Sequence, residues 1–324
     1  MITGSFLDFV HHNPKETTWN EQTIAFSDKM WEAKVDEMAE IGIEYLVVLS
    51  VALDYKSFYP SKIFHKWDLK AQDPLGAVLH AAERNKMKVF LGAGFYGDWT
   101  KPWEAFSDLG VRQKTKAAIE ELALQYGDYR SFYGFYWPNE LGIDGYFPQI
   151  FIDHVNECNN LAKANLPKAK TLIAPYGTNK AIPDATYVKQ LKELGVDIIA
   201  YQDEVGARKS RPEDLSKIFS ALKKAHQQAE VLLWADMEIY EFAGEILVSP
   251  LLPGNFQRIT KQIDALSPLV DEIICYQYLG MMNKPNSLAF AGTKESKELY
   301  KAYTARYKTQ NEIKFSKFAN EVNG

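Results

Sequence analysis

Short apolar runs alternate with amphipathic stretches along the chain, and the alternation repeats eight times. The runs are Gly4–Phe9, Glu44–Val51, Lys88–Gly94, Phe132–Pro138, Thr171–Pro175, Val196–Gln202, Val231–Glu238 and Glu272–Tyr278. They are rich in Val, Ile, Leu, Phe and Tyr and too short for helices, so they predict buried strands. The stretches between them carry helix-boundary signals. Trp31–Ile41 stops before Gly42, and Asp73-Pro74 sets a cap residue before a proline at the first helical position, with Val78, Leu79 and Ala82 as its apolar stripe. Ala117–Leu124 ends before Gly127 and Tyr187–Leu194 ends at Gly195. Arg211-Pro212 opens Glu213–Ala225, and Phe256–Leu266 and Lys294–Arg306 complete the set. Eight strand–helix units predict an α/β chain folded as a single (β/α)8 TIM barrel over residues 1–324. Long loops follow strand two (Ala52–Asp73) and strand three (Phe95–Leu109). The competing architecture, an open doubly wound sheet, is disfavoured because no glycine-rich phosphate turn follows the first strand.

Composition narrows the class. A chain of 324 residues that is 46% hydrophobic and 24% charged can bury a large core. Its 37 basic and 42 acidic residues give −5 without a long run of one sign, which argues against a nucleic-acid binder. No apolar stretch approaches the roughly 20 residues of a membrane span. Cys158 and Cys275 are too few for a disulfide scaffold and read as small buried apolar residues. No secretory leader stands at the N-terminus, so the expectation is a cytoplasmic chain, or an extracytoplasmic one written without its leader. No helix offers a surplus apolar face, and a monomer is the default. The excess is aromatic: 7 Trp, 18 Tyr and 18 Phe.

A parallel barrel carries its site at the carboxyl ends of the strands, so function is read from eight short clusters. Asp8, His11 and His12 follow the first run, and Asp54-Tyr55 the second. Phe95 to Trp99 follow the third, and the fourth ends Tyr136-Trp137-Pro138-Asn139-Glu140. Then come Tyr176, Tyr201 to Gly206, Trp234 to Glu241, and Tyr276-Gln277-Tyr278. No cluster holds the lysine that a Schiff-base enzyme needs. Only His11 and His12 could begin a histidine metal site, and neighbours on a strand point opposite ways; one is expected at the rim and the other in solvent, with no metal. Glu241-Phe242-Ala243-Gly244 is a poor phosphate turn.

What remains is a pair of carboxylates across an aromatic-lined cleft, the arrangement that glycoside hydrolysis uses. Glu140 is the candidate acid/base and Glu238 the candidate nucleophile, with Asp236, Glu241 and Glu204 as rivals for the second role. Trp234, Asp236 and Glu238 share one face of their strand by period two, and face the barrel mouth if Leu233 and Ala235 pack outward. Sugar rings stack on Trp and Tyr while their hydroxyls bond to amides and carboxylates. The expected substrate-binding residues are therefore Asn139, Trp137, Tyr96, Tyr176, Gln202, Asp203, Trp234, Asp236 and Tyr276. Most aromatics of the long loops, among them Tyr55, Phe58, Tyr59, Phe64, Trp67, Trp99 and Trp103, are expected to pack on one another.

Several of these segments resemble the mostly bacterial family labelled domain of unknown function 4434. The segments are Gly4-Ser5-Phe6-Leu7, Gly134 to Glu140, Ala174-Pro175-Tyr176, Gln202 to Gly206 and Leu233 to Tyr240. The resemblance implies a TIM barrel similar to retaining glycoside hydrolases of the large clan with glutamates on strands four and seven. In that clan an asparagine precedes the acid/base, which maps onto Asn139 and Glu140, and the nucleophile maps onto Glu238. Two departures stand out. Glu204 occupies a place where the family usually has a small residue, and Tyr276 and Tyr278 stand where the clan carries a tryptophan. The reading is thus a retaining glycoside hydrolase of an oligo- or polysaccharide, needing no cofactor. The alternatives are a non-catalytic carbohydrate-binding barrel and a carbohydrate lyase or isomerase using Tyr276 or a histidine as base.

Overall fold

The computed structural model describes residues 1–307. Eight parallel strands close into a barrel in sequence order: β1 (Gly4–Leu7), β2 (Tyr45–Val48), β3 (Lys88–Gly92), β4 (Phe132–Tyr136), β5 (Lys170–Ile173), β6 (Ile198–Gln202), β7 (Leu232–Glu238) and β8 (Glu272–Tyr276). β1 closes the ring by pairing with β8 on one side and β2 on the other. Each apolar run is therefore a barrel strand; six stop short of the expected carboxyl end, where the chain turns into the loops that build the mouth, and β6 and β7 keep that end and begin later.

The helices α1 (Asp28–Glu40), α2 (Pro74–Arg84), α3 (Leu109–Tyr126), α4 (Gln149–Asn165), α5 (Ala185–Glu193), α6 (Pro212–Ala229), α7 (Phe256–Leu266) and α8 (295–307) form the outer layer. Asp73 caps α2 by accepting from the Gly76 amide, and Pro74 fills its first turn. α3 starts eight residues before the expected Ala117, because Asp108 caps it and accepts from the Val111 amide. α4 lacks a recognisable start: Pro148 precedes it and supplies no side-chain cap.

Two apolar layers result from the period-two alternation of the strands. One fills the barrel interior with Phe6, Tyr45, Val47, Phe90, Tyr136, Leu172, Ile198, Trp234 and Ile274. The other lies between strands and helices and takes Leu233, Ala235 and Met237 from β7. The loop after β2 folds on itself: Phe58 stacks on Trp67 with centroids 5.9 Å apart, and Phe58, Tyr59 and Phe64 are buried. Tyr55 and Trp103 depart from that self-packing and are exposed. After β7 the chain adds an antiparallel hairpin, Tyr240–Phe242 with Leu251–Pro253, that the hydrophobic pattern does not announce.

Candidate active site

The centre of the mouth is built by residues at the ends of β1, β4, β6, β7 and β8. Phe6 of β1 lies under Tyr136 and Tyr276, with ring centroids 5.4 and 5.8 Å away. Tyr136, the last residue of β4, points inward, and its hydroxyl donates to Glu140 Oε1. Gln202, the last residue of β6, donates from Nε2 to Glu140 Oε2 at 2.9 Å and to the Ala174 carbonyl at 2.9 Å. Both oxygens of Glu140 are thus oriented by neighbouring strands. Burial pushes the carboxyl up to about 8, against the two hydrogen bonds, which favour the anion. At neutral pH Glu140 is a carboxylic acid with a partly open edge.

Glu238 closes β7 opposite. Its Oε2 accepts from the Ala207 amide at 2.6 Å, and the Tyr240 hydroxyl also donates to the carboxylate. Burial and the charge of Asp203 push it up to about 8, against those two donors. Its backbone is fastened from outside the barrel: the Glu238 amide donates to Asp203 Oδ1 at 3.1 Å, and Arg258 and Gln262 of α7 both donate to the Glu238 carbonyl at 3.2 Å. Arg258 reaches on to the Tyr240 carbonyl at 2.7 Å. Asp236, one inward position below Glu238, is buried, and its Oδ1 has no partner. Burial, then the charges of Glu238, Glu140 and Asp203, hold it far above the usual carboxylate range, so it is neutral. By the alternation of β7 it faces the barrel interior above Trp234 and below Glu238, at the floor of the mouth.

A second cluster joins β1 to β8. His11 Nδ1 faces Asp8 Oδ2 at 3.1 Å, and Nε2 faces Glu16 Oε2 at 3.2 Å. Trp19 Nε1 donates to Asp8 Oδ1 at 3.2 Å. The Tyr276 hydroxyl lies 3.0 Å from His11 Nδ1 and 3.4 Å from Asp8 Oδ2. Burial opposes a charged imidazole, but the hydrogen bonds and charges of Asp8 and Glu16 outweigh it and raise His11 to about 9. His11 is therefore an imidazolium clamped between two carboxylates. Neither histidine is in solvent as expected for one of them: His12 packs on Phe95 and Trp99, and burial with the His11 charge lowers it to about 4. Among the described residues no group of three or more His, Cys, Asp or Glu is arranged to hold a metal ion.

The structure separates the expected substrate-binding residues into two sets. Gln202, Asp236, Asn139, Tyr176 and Tyr276 surround the mouth. Tyr176 is 38% exposed, lies on Gly142, where a Cβ would collide with its ring, and has the Lys209 ammonium 5.4 Å from the ring centroid. Four others lie elsewhere. Trp137 points outward, opposite Tyr136, stacks on Phe135 and donates to Asn159 Oδ1 of α4 at 2.8 Å. Tyr96 turns into the outer core and stacks on Phe64 at 5.1 Å. Asp203 also points outward and spends its oxygens on Gln262 and the amides of Val205 and Glu238. Trp234 faces inward as expected, but its ring packs on Tyr45, the first residue of β2, at 4.7 Å, so it plugs the lower barrel. Of the rival carboxylates, Glu204 is buried and accepts from the amides of Gly177 and Thr178, both at 3.0 Å, and from Lys209 at 2.9 Å, pinning two loops together. Glu241 is exposed.

Tyr136, Tyr240 and Glu16 are the site residues that sequence reasoning passed over. For Tyr136 a signal existed: adjacent strand residues face opposite sides, so Tyr136 and Trp137 could not both line the mouth. For Tyr240 the same alternation, continued from Trp234, Asp236 and Glu238, pointed to it, and for Glu16 there was none, since it arrives from a loop.

The family described as "Domain of unknown function (DUF4434)" matches residues 2–289. The chain belongs to that family. Among solved structures this DUF4434 protein is similar to one described as a "putative alpha-L-fucosidase" from Bacteroides thetaiotaomicron, with 21% identity and a TM-score of 0.75 over 95% of this chain and 93% of that one. It is also similar to an endo-beta-1,4-mannanase from Thermotoga petrophila, with 12% identity and a TM-score of 0.61 over 94% and 76% of the two chains. A GH5_18 protein from Streptomyces cattleya in complex with GlcNAc aligns at 15% identity and a TM-score of 0.58, over 95% and 81%. These likenesses establish the shared barrel. Comparison with curated proteins gave no match.

Proposed function

We propose that this DUF4434 protein is a retaining glycoside hydrolase, with Glu140 as acid/base and Glu238 as nucleophile. The observation that carries the reading is the pair itself. One carboxyl stands beyond β4, held protonated and oriented on both oxygens, and the other ends β7 with two donors on it. The names of the similar structures, a mannanase and a described fucosidase, support a carbohydrate substrate.

The Glu140 proton passes to the glycosidic oxygen as the C1–O bond breaks, and the leaving sugar departs as an alcohol. A Glu238 oxygen attacks C1 from the opposite face and forms a glycosyl ester. Glu140, now a carboxylate, takes a proton from water, whose oxygen attacks C1 and frees Glu238. Asn139 holds the hydroxyl beside C1, and Gln202 and Tyr276 line the ring. Neutral Asp236 donates a hydrogen bond upward from the floor without adding a third charge.

The test uses 4-nitrophenyl and 2,4-dinitrophenyl glycosides of fucose, mannose, galactose and glucose in both anomers. Glu238→Gln loses turnover of all of them. Glu140→Gln loses the 4-nitrophenyl glycosides and keeps part of its rate on 2,4-dinitrophenyl ones, whose leaving group needs little protonation. A fully active Glu238→Gln rejects the assignment. The reading of a non-catalytic binding barrel draws on the burial of Glu238 and the charge of Asp203 beside it, which push its carboxyl up to about 8. It predicts glycan binding with no turnover even at pH 8.

A further inference from the structure

Three rings on the β1–β3 side of the mouth have no part in the chemistry above. His12 follows β1, and Phe95 and Trp99 follow β3. His12 stacks on Phe95 with centroids 5.8 Å apart and planes 24° from parallel, and it meets Trp99 edge-on at 5.1 Å. All three are half-buried, whereas Tyr96, lodged between them in sequence, is fully buried. Phe95 and Trp99 border one small crevice together with Asn139, Asp98 and Glu104. The rings thus adjoin the residue that precedes the acid/base.

Phe95 adopts φ 57, in the left-handed region that bulky residues avoid. Such a conformation persists only where the surroundings hold it, and it is commonest at functional sites. The preceding loop is built to the same end. Asp54, itself at φ 49, accepts the Trp99 amide on Oδ1 at 3.3 Å. The His12 ring is neutral, and its Nδ1 has no partner within the protein. Phe95 and Trp99 rest one side on the outer core and leave part of each ring open beside the site.

We propose that His12, Phe95 and Trp99 form a stacking subsite for a pyranose ring of the substrate, beyond the unit held by Asn139. The occupant is the apolar C–H face of a sugar, which aromatic faces recognise. The inference rests on the carbohydrate reading of the mouth and deepens it: the preferred substrate is an oligosaccharide rather than a single glycoside.

The test separates the two claims by measuring binding without turnover. Labelled Glu140→Gln protein is applied to an array of plant, bacterial and animal oligosaccharides, and the best ligand is titrated by isothermal calorimetry. In that background Trp99→Ala and Phe95→Gly each weaken binding by about fivefold or more, while His12→Phe, which keeps a ring, largely preserves it. Phe95→Gly keeps its melting temperature within about 2 °C of the parent, since glycine relaxes the backbone while the half-open ring gives up little packing. Unchanged affinity in both Trp99→Ala and Phe95→Gly overturns the subsite, and so does an array on which nothing binds. Binding that depends on the rings, with no hydrolysis by the wild-type protein, upholds the subsite and rejects the hydrolase.

Discussion

The hydroxyl of Tyr136 offers a sharp test of the acid/base assignment. It donates to Glu140, and that bond favours the charged carboxylate against the burial that raises the group to about 8. Tyr136→Phe removes the donor and keeps the ring that packs on Phe6. A hydrogen bond to a charged group contributes about 1.5–3 kcal/mol. At about 1.4 kcal/mol per pH unit, Glu140 then rises by roughly one to two units. In the proposed mechanism the active form has Glu140 protonated and Glu238 ionised. With both near 8, about a quarter of the protein is in that form at best, and kcat/KM follows a narrow bell centred near pH 8. In Tyr136→Phe the acid limb stays and the alkaline limb moves out. The optimum shifts to about pH 8.5–9 and the active fraction rises to roughly 0.6–0.8. The assay is the pH profile of kcat/KM on an aryl glycoside in constant ionic strength. An alkaline limb that stays in place, or moves down, refutes Glu140 as the acid; movement of the acid limb instead would exchange the two glutamates.

Three further outcomes follow from the same geometry. Glu140, Glu238 and His11 all titrate higher in the folded protein than unfolded, so the stability they contribute is present at low pH and lost as pH rises toward their folded values. The unfolding free energy, followed through the melting temperature by calorimetry, should fall between pH 6.5 and 9, by at most about 2 kcal/mol for each glutamate up to pH 8, and Glu140→Gln should flatten the slope. Trp137→Phe leaves Asn159 Oδ1 without its donor and should cost about 1–3 kcal/mol of stability in urea unfolding with KM unchanged; a raised KM at full stability would return Trp137 to the mouth. Tyr176→Ala removes an exposed ring at the rim and should raise KM for an oligosaccharide about three- to tenfold with kcat and melting temperature unchanged, as read from steady-state kinetics.

The barrel was legible because its signal is local and repeated. Each strand is a short β-rich run, and the helix starts marked by a proline, at Pro74 and Pro212, could be located. α4 escaped because Pro148 caps nothing, and α3 was shortened because its first turns, Leu109 to Lys116, are mostly polar. In the site, alternation carried the reading as far as it was applied. It put Asp236 and Glu238 on one face, and the structure agrees. Where residues were chosen by type alone the outcome was poorer: Trp137 and Asp203 sit one position off the inward register, Tyr96 lies in the loop beyond β3 where the alternation has ended, and all three serve the outer layer. Trp234 has the right face at the wrong height, since period two gives direction but not depth. The hairpin from Tyr240, the pairing of His11 with Glu16 and the conformation of Phe95 all arise within loops, where no periodicity guides the reading.

The barrel's closure joins the first strand to the last, and the Tyr276–His11 contact spans 265 residues. That span makes the site a late product of folding. β1 leaves the ribosome long before β8 exists, and until residues 272–276 emerge both β1 and β7 present an unpaired edge. Asp8 and His11 meanwhile have only the N-terminal loop to hold them, and Glu238 lacks its neighbour Tyr276. A nascent chain therefore has no complete mouth, and a truncated one exposes two unpaired edges instead of one closed ring. Assembly of the site doubles as a check that the whole barrel has been made.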